Sequence, residues 1–508
     1  MPSRPAISLW LTLKRFLMNG TMIQFFHSYT PGDSFLWDHT AEQAGYLAGL
    51  GITAAWLPPA YKSAGGGTSV GYDVYDLFDL GEFEQKGSRA TKYGDRSQLL
   101  RACQALQENG VGVIMDIVLN HRGGADELET FHVVKVEQED RSKPLSEPFE
   151  IQSYTRFTFP GRGDRYSAFK WDFTCFTGVD YAEGVEENVI YRIVHEHGQD
   201  WDEVIDDECG NYDFLMHCDV ETRNEHVRGE LHHWGGWFHA QLGFDGVRLD
   251  AVKHISPGFN MEWLHILRQN AGKNLFAVGE YWAPGNLELL ERYIHATQGS
   301  MSLFDSALHH NLHQAGEAGA DYDLRTILDH SLMMANPLLA VTLVDNHDTQ
   351  PLQALEAPVA AWFKPLAYAL ILLRAEGYPC VFYPDLYGAT YTDKGKDGED
   401  HEIAIAKVDC LVNLLLARKH HAYGAQHVYF DQPHCIGFTR LGDGENPGCA
   451  VIMANGDQAS KRMEIGTAYA DQHFRDLLGH HPGQVLIGQD GWADFHCPAR
   501  SVSVWVPA

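Results

Sequence analysis

The chain has 508 residues, which at about 150 residues per domain implies roughly three domains. Hydrophobic residues make up 44 % and charged residues 21 %, a balance too apolar for a disordered chain and ordinary for a soluble globular one. The formal net charge of −30 repels phosphate backbones and anionic lipid, so nucleic acid and membrane surfaces are poor candidate partners.

The first apolar stretch, residues 6–13, follows Arg4 and runs straight into Lys14 and Arg15. It is shorter than the ~18–20 residues a membrane span needs, and no small-residue cleavage site follows it cleanly, so a signal peptide and export are the less favoured alternative. Met22 stands just before the first good strand, so residues 1–21 are expected to be a dispensable extension or the product of an upstream start. Nine cysteines, an odd number without C-x-x-C spacing, read as reduced, buried thiols of a cytoplasmic protein.

Eight short runs rich in β-branched or aromatic residues follow: 23–26, 52–57, 112–119, 244–249, 275–279, 302–304, 341–344 and 380–383. Helical patterns lie between most of them. Those at 38–50, 96–109 and 224–242 stop at Gly51, Gly110 and Gly243, where glycine enters the left-handed region cheaply. Apolar strands separated by helices indicate a parallel sheet covered on both faces, and eight repeats predict an α/β fold, a (β/α)₈ TIM barrel. Between His121 and Phe244 about 120 residues intervene, far more than a crossover helix requires. That length, without clear periodicity, predicts an inserted, irregular β-rich domain at 122–224. The barrel then comprises 22–121 and 225–420. After a polar stretch at 390–400 a helix is predicted near 403–419. The final region, 421–508, has short strands with turn signals, and Val502, Val504 and Val506 alternate with other residues. That period of two predicts a C-terminal antiparallel β-sandwich.

Barrel enzymes carry reactive groups at the C-terminal ends of their strands. Here those ends present three acids: Asp250 after the fourth strand, Glu280 after the fifth and Asp348 after the seventh. Arg248 lies two residues before Asp250, so on a strand both side chains share a face, and the fixed cation favours the ionised carboxylate a nucleophile needs. Glu280 lies beside Tyr281 and Trp282 with no cation adjacent in sequence, a setting that raises its pKa and suits a proton donor. Two carboxyls with opposed tuning and a third acid match glycosidic bond cleavage. An aldolase or phosphate-site isomerase would need a Schiff-base lysine or a glycine-rich phosphate loop, and neither stands out. No HExxH, zinc-type Cys/His spacing or Walker-type loop is present, which argues against zinc and nucleotide cofactors.

The segments Asp116-Ile-Val-Leu-Asn120-His121, Gly243-Phe-Asp-Gly-Val-Arg248-Leu-Asp250-Ala-Val-Lys253-His254, Val278-Gly-Glu280-Tyr-Trp282 and Val344-Asp-Asn-His347-Asp348 resemble the four signature regions of the α-amylase family of glycoside hydrolases. The resemblance includes Val70-Gly-Tyr72-Asp73, Trp56-Leu-Pro-Pro59 and Lys364-Pro-Leu-Ala-Tyr368 and covers nearly all of 22–508, with the inserted and C-terminal regions most like the liquefying and cytoplasmic bacterial members. It implies Asp250 as nucleophile, Glu280 as general acid/base and Asp348 as transition-state stabiliser of a retaining reaction, with the first two carboxyls ~5–5.5 Å apart. It also implies that Tyr72 stacks under the sugar, that His121 and His347 bond its hydroxyls, and that Lys253 and Trp282 contact the leaving-group side. Asn120, Asp213, Asp219 and the backbone carbonyl of His254 would hold one structural Ca²⁺, through the oxygen donors that ion takes. For further cation sites the pattern is incomplete. Asp180, Asp202 and Glu221 remain, but Thr177, Arg223 and, in the C-terminal region, Cys435 stand where ligands are expected. The implied activity is endo-acting hydrolysis of α-1,4-glucans by a monomer. A transglycosylating glucanotransferase or an exo-acting α-glucosidase with the same acids is the alternative, and a non-catalytic glucan-binding protein is disfavoured because all three acids and Arg248 are present.

Overall fold

The computed structural model describes residues 19–187, 189–195 and 200–508, so the apolar stretch at 6–13 lies outside the described residues. Of the expected extension at 1–21, only residues 19–21 are among the described residues. Thr21 is buried, and the Asn19 amide donates to the carbonyls of Arg418 and Ala422, tying this segment to a helix some 400 residues away.

Eight strands close into a parallel barrel in sequence order: β1 (Met22–Gln24), β2 (Ala54–Leu57), β3 (Gly112–Ile117), β4 (Gly246–Leu249), β5 (Phe276–Gly279), β6 (Ser302–Phe304), β7 (Ala340–Leu343) and β8 (Tyr378–Phe382). Closure is made by Met22 opposite Cys380 on one side and Ala54 on the other. The strands are short and apolar because both faces are covered, the inner by side chains filling the barrel and the outer by helices. Gly246 shows how tight the wall is. A Cβ there would meet Ile114 Cδ1 at 2.7 Å and the Phe276 carbonyl at 2.8 Å. The helix Leu36–Leu50 ends on Gly51 at φ +88°, whose amide caps the last carbonyls, as the sequence predicts. The helix Arg96–Glu108 starts on a capping box formed by Asp95 and Gln98.

Between β3 and the helix Glu225–Leu242 the chain leaves the barrel and builds a six-stranded sheet. Its innermost strands, His121–Arg122 and Cys218–Val220, pair antiparallel and root the excursion at the C-terminal mouth of β3. The C-terminal region forms a six-stranded sheet and a two-stranded one, both antiparallel. In its strand Ser501–Pro507, residues Val502 through Val506 are all buried, so the alternating valines mark a strand covered on both faces. One prediction fails here. Residues 403–419 are not a single helix, because Asp400–Ile405 is a strand paired antiparallel with Ala389–Lys394, and the helix is Leu411–His421. His401, Ile403 and Ile405 are half-buried and alternate with exposed residues, the two-residue period of a hairpin strand, and the helical reading ran over it.

Candidate active site

The predicted acids meet at the mouth of the barrel. β4 delivers Arg248 and then Asp250, whose amide donates to the Ile117 carbonyl of β3 at 2.9 Å, and β5 delivers Glu280, whose amide donates to Leu249 at 2.9 Å. The chain turns sharply after Asp250. Ala251 takes the left-handed conformation at φ +48°, unusual for a residue with a Cβ, and its amide donates to Glu280 Oε2 at 3.2 Å.

Arg248, 1 % exposed, organises the group. Its Nη1 donates to Asp250 Oδ1 at 2.6 Å and to Asp116 Oδ1 at 2.8 Å, and its Nη2 donates to Glu280 Oε2 at 2.6 Å. No cation adjoins Glu280 in sequence, but Arg248 reaches it across the strands. Arg248 and Ala251 are both hydrogen-bonded to it, so the two carboxyls are not tuned by contrasting neighbours. Instead, burial pushes the Glu280 carboxyl up to about 7, opposed by Arg248 and reinforced by Asp348. Burial also raises Asp250 well above the carboxylate range, opposed by Arg248 and reinforced by Glu280, Asp116 and Asp348. Asp348, with 30 % of its side chain open, is pushed up to about 6 by burial, against Arg248. The group therefore holds protons collectively near neutral pH.

Asp116 was not assigned a role from sequence. It is fully buried and accepts from Arg248, from the Tyr72 hydroxyl at 2.8 Å and from Trp56 Nε1 at 2.9 Å. An acid inside the apolar run of β3 was the available signal, since a carboxylate in a barrel wall must be paired there.

Around the acids lies a cleft of about 640 Å³ lined by Tyr72, His121, Asp250, Lys253, His254, Glu280, Trp282, His347 and Asp348, with Glu208, Tyr212 and Met216 contributed by the inserted region. Every predicted catalytic and substrate residue except Arg248 faces it, and Arg248 sits beneath. The Tyr72 ring stacks on His347 at 5.0 Å and 12°. Burial lowers both histidines to about 3, so each is a neutral imidazole at physiological pH. His121 Nε2 donates to the Tyr72 carbonyl at 2.8 Å, whereas His347 Nδ1 has no hydrogen-bond partner among the described residues. Lys253 is ion-paired to Glu208 at 2.5 Å and Asp206 at 3.1 Å, which fixes its ammonium against the inserted region. Trp282 packs against His309, with ring centroids 5.3 Å apart and the planes tilted by 53°.

The four residues expected to hold calcium converge at the root of the insertion. The Asn120 amide donates to Asp219 Oδ1 at 3.1 Å, and His254 Nδ1 donates to the carbonyl of Tyr212, the neighbour of Asp213, at 2.6 Å. Asp213 and Asp219 are buried, 3 % and 1 % exposed: burial with Asp202 pushes Asp213 up to about 8, and burial with Asp213 pushes Asp219 well up. Among the described residues no group of three or more His, Cys, Asp or Glu side chains has metal-binding geometry. The expected set contains only two carboxylates, completed by an amide and a carbonyl. Two buried, mutually repelling carboxylates beside neutral oxygens suit a hard divalent ion, so these residues fit the group.

Comparison with known proteins places the chain. The alpha amylase catalytic-domain family matches residues 37–413, and the alpha-amylase C-terminal family matches 450–506. The chain is 49 % identical over 491 residues to the "Cytoplasmic alpha-amylase" of Escherichia coli (strain K12), covering 96 % of this chain and 99 % of that one. It is 47 % identical over 494 residues to the "Alpha-amylase" of Geobacillus stearothermophilus, covering 96 % and 87 %. Among solved structures, the alpha-amylase of Geobacillus thermoleovorans complexed with acarbose shares the fold at a TM-score of 0.63 and 16 % identity, covering 97 % of this chain and 99 % of that one. The chain belongs to the alpha-amylase family of glycoside hydrolases.

Proposed function

We propose that this protein is an endo-acting α-1,4-glucan hydrolase that cleaves starch, glycogen or maltodextrins with retention of anomeric configuration. The observation that carries the proposal is the sharing of one buried guanidinium by Asp250 and Glu280 at the floor of an open cleft. In the reactive form the pair holds one proton. The reaction needs that proton on Glu280 and the charge on Asp250, whose Oδ1 accepts from the Arg248 guanidinium at 2.6 Å. Asp250 attacks the anomeric carbon while Glu280 gives its proton to the departing glycosidic oxygen, which yields a glycosyl ester on Asp250 and a free sugar hydroxyl. Glu280, now ionised, takes a proton from water, whose oxygen displaces Asp250. Asp348 and the neutral imidazoles of His121 and His347 bond sugar hydroxyls as positive charge develops at the ring. Tyr72 presents a ring face to the sugar, its hydroxyl anchored on Asp116.

Asn120, Asp213, Asp219 and the His254 carbonyl would hold one Ca²⁺, which supplies a structural tie between the insertion and the segment after β4. The nine cysteines are all unpaired, as in a reducing cytoplasm, and a relative carries that compartment in its name. No helix among the described residues is long and apolar enough to cross a membrane. Incubation with a long maltodextrin tests the activity. The expected products are short α-anomeric oligosaccharides, with average chain length falling faster than reducing ends appear. Cyclic or lengthened products would instead support a glucanotransferase, the activity named for relatives 23 % identical to this chain, and glucose as the sole early product would support an exo-acting glucosidase.

A further inference from the structure

The buried acids at the root of the insertion outnumber what one divalent ion neutralises. Asp202, Asp213, Asp219 and Glu221 are 7 %, 3 %, 1 % and 0 % exposed and together bring four carboxyl groups. A calcium ion on Asp213 and Asp219, the reading proposed above on which this inference rests, supplies two positive charges. The chain supplies a third. Arg223 donates through Nε and Nη2 to the two oxygens of Glu221, at 2.7 and 2.6 Å. It also donates through Nη2 to the Asp200 carbonyl at 2.7 Å and through Nη1 to the Trp201 carbonyl at 3.3 Å. A carboxylate and two main-chain carbonyls are the oxygen set a hard metal ion gathers, here gathered by a planar guanidinium.

Neutral donors meet the other carboxylate oxygens. The Thr177 hydroxyl donates to Asp219 Oδ2 and the Thr222 hydroxyl to Asp202 Oδ2, while Asp202 Oδ1 accepts from the Glu203 amide at 2.7 Å. Each of these oxygens keeps a second lone pair, so the fixed guanidinium charge, rather than the hydroxyls and the amide, sets the cluster against a second cation. We infer that Arg223 is the resident cation of this cluster, so that the cluster takes one calcium ion and excludes a second. Its fork joins the segment at 200–202 to the end of the strand Cys218–Val220. The same segment leads to Asp206 and Glu208, which hold Lys253 at the cleft.

The test uses the full chain, stripped with a chelator and titrated with Ca²⁺ alone. Ions per chain are counted by equilibrium dialysis, melting temperature is followed against free Ca²⁺, and starch hydrolysis is measured on the same preparations. The wild type is expected to bind one ion. Arg223→Asp is expected to bind two, with a steeper dependence of melting temperature on Ca²⁺. Arg223→Gln is expected to bind one and to melt several degrees below the wild type even at saturating Ca²⁺, with Arg223→Lys between them. Two or more ions in the wild type, one ion in folded Arg223→Asp, or an unchanged melting temperature in Arg223→Gln overturns the inference. No ion in the wild type overturns it together with the calcium reading, while hydrolysis by that preparation shows that the hydrolase reading stands.

Discussion

Replacing Arg248 with methionine keeps most of the side-chain volume and removes the charge that three buried carboxyls share. At a charge separation of ~4 Å and an effective dielectric of ~20, each pair gains about 4 kcal/mol of gross attraction. Without the cation the acids avoid part of the loss by binding protons. A loss of about 4 kcal/mol corresponds to roughly 3 pKa units, at 1.36 kcal/mol per unit. Asp250 is then protonated across the neutral range, and the fraction able to attack falls about a thousandfold. We therefore expect kcat/KM on maltodextrins to fall at least ~10³-fold, together with about 3–5 kcal/mol of stability at alkaline pH, the usual cost of leaving buried charge unpaired. The pH dependence has a definite sign. Carboxyls whose folded pKa is raised above the unfolded value contribute stability below the unfolded pKa near 4, and it is lost as pH rises through the folded pKa. The variant should therefore approach wild-type stability near pH 5 and diverge from it toward pH 8. Thermal melts across that range and steady-state kinetics at each pH are the measurements. Near-native turnover, or a stability deficit that does not grow with pH, refutes the shared-guanidinium argument.

Glu280 must carry its proton to start the reaction, so kcat/KM of the wild type should decline as pH rises through about 7, the position of this carboxyl in the free enzyme. A plateau extending beyond pH 9 contradicts the assignment. Ala251 already sits in the left-handed region, which costs about 1–2 kcal/mol for a residue with a Cβ. Ala251→Val should lower kcat by disturbing the amide that holds Glu280, whereas Ala251→Gly should be tolerated, and equal rates in the two variants would separate the turn from the chemistry. Removing divalent ions should lower the melting temperature, with Ca²⁺ restoring it, because the buried pair Asp213 and Asp219 is then left uncompensated.

The barrel is legible in the sequence because its strands are short apolar runs ended by polar residues and several of its helices stop at glycines, among them Gly51, Gly243 and Gly272. Asp250, Glu280 and Asp348 are legible because strand ends in a barrel converge whatever their separation in the chain. Proximity across strands is not written in local sequence. Arg248 reads as a neighbour of Asp250, two residues away, yet it also reaches Glu280 and Asp116 on the two flanking strands, so the expected contrast between the acids gives way to a shared proton. Lys253 likewise shows nothing in sequence of Asp206 and Glu208, which come from an irregular stretch of the insertion. The hairpin Ala389–Lys394 with Asp400–Ile405 was missed because exposed strands carry little hydrophobic signal.

The most direct test of the mechanism combines Glu280→Gln with an α-maltosyl fluoride. Its leaving group departs without protonation, while the second step, water attack, still needs the base that the variant lacks. Intact mass should then rise by one maltosyl unit, and peptide mapping should place that unit on Asp250. An adduct on any other residue, or β-anomeric product released without an adduct, contradicts the assignment of Asp250 as nucleophile.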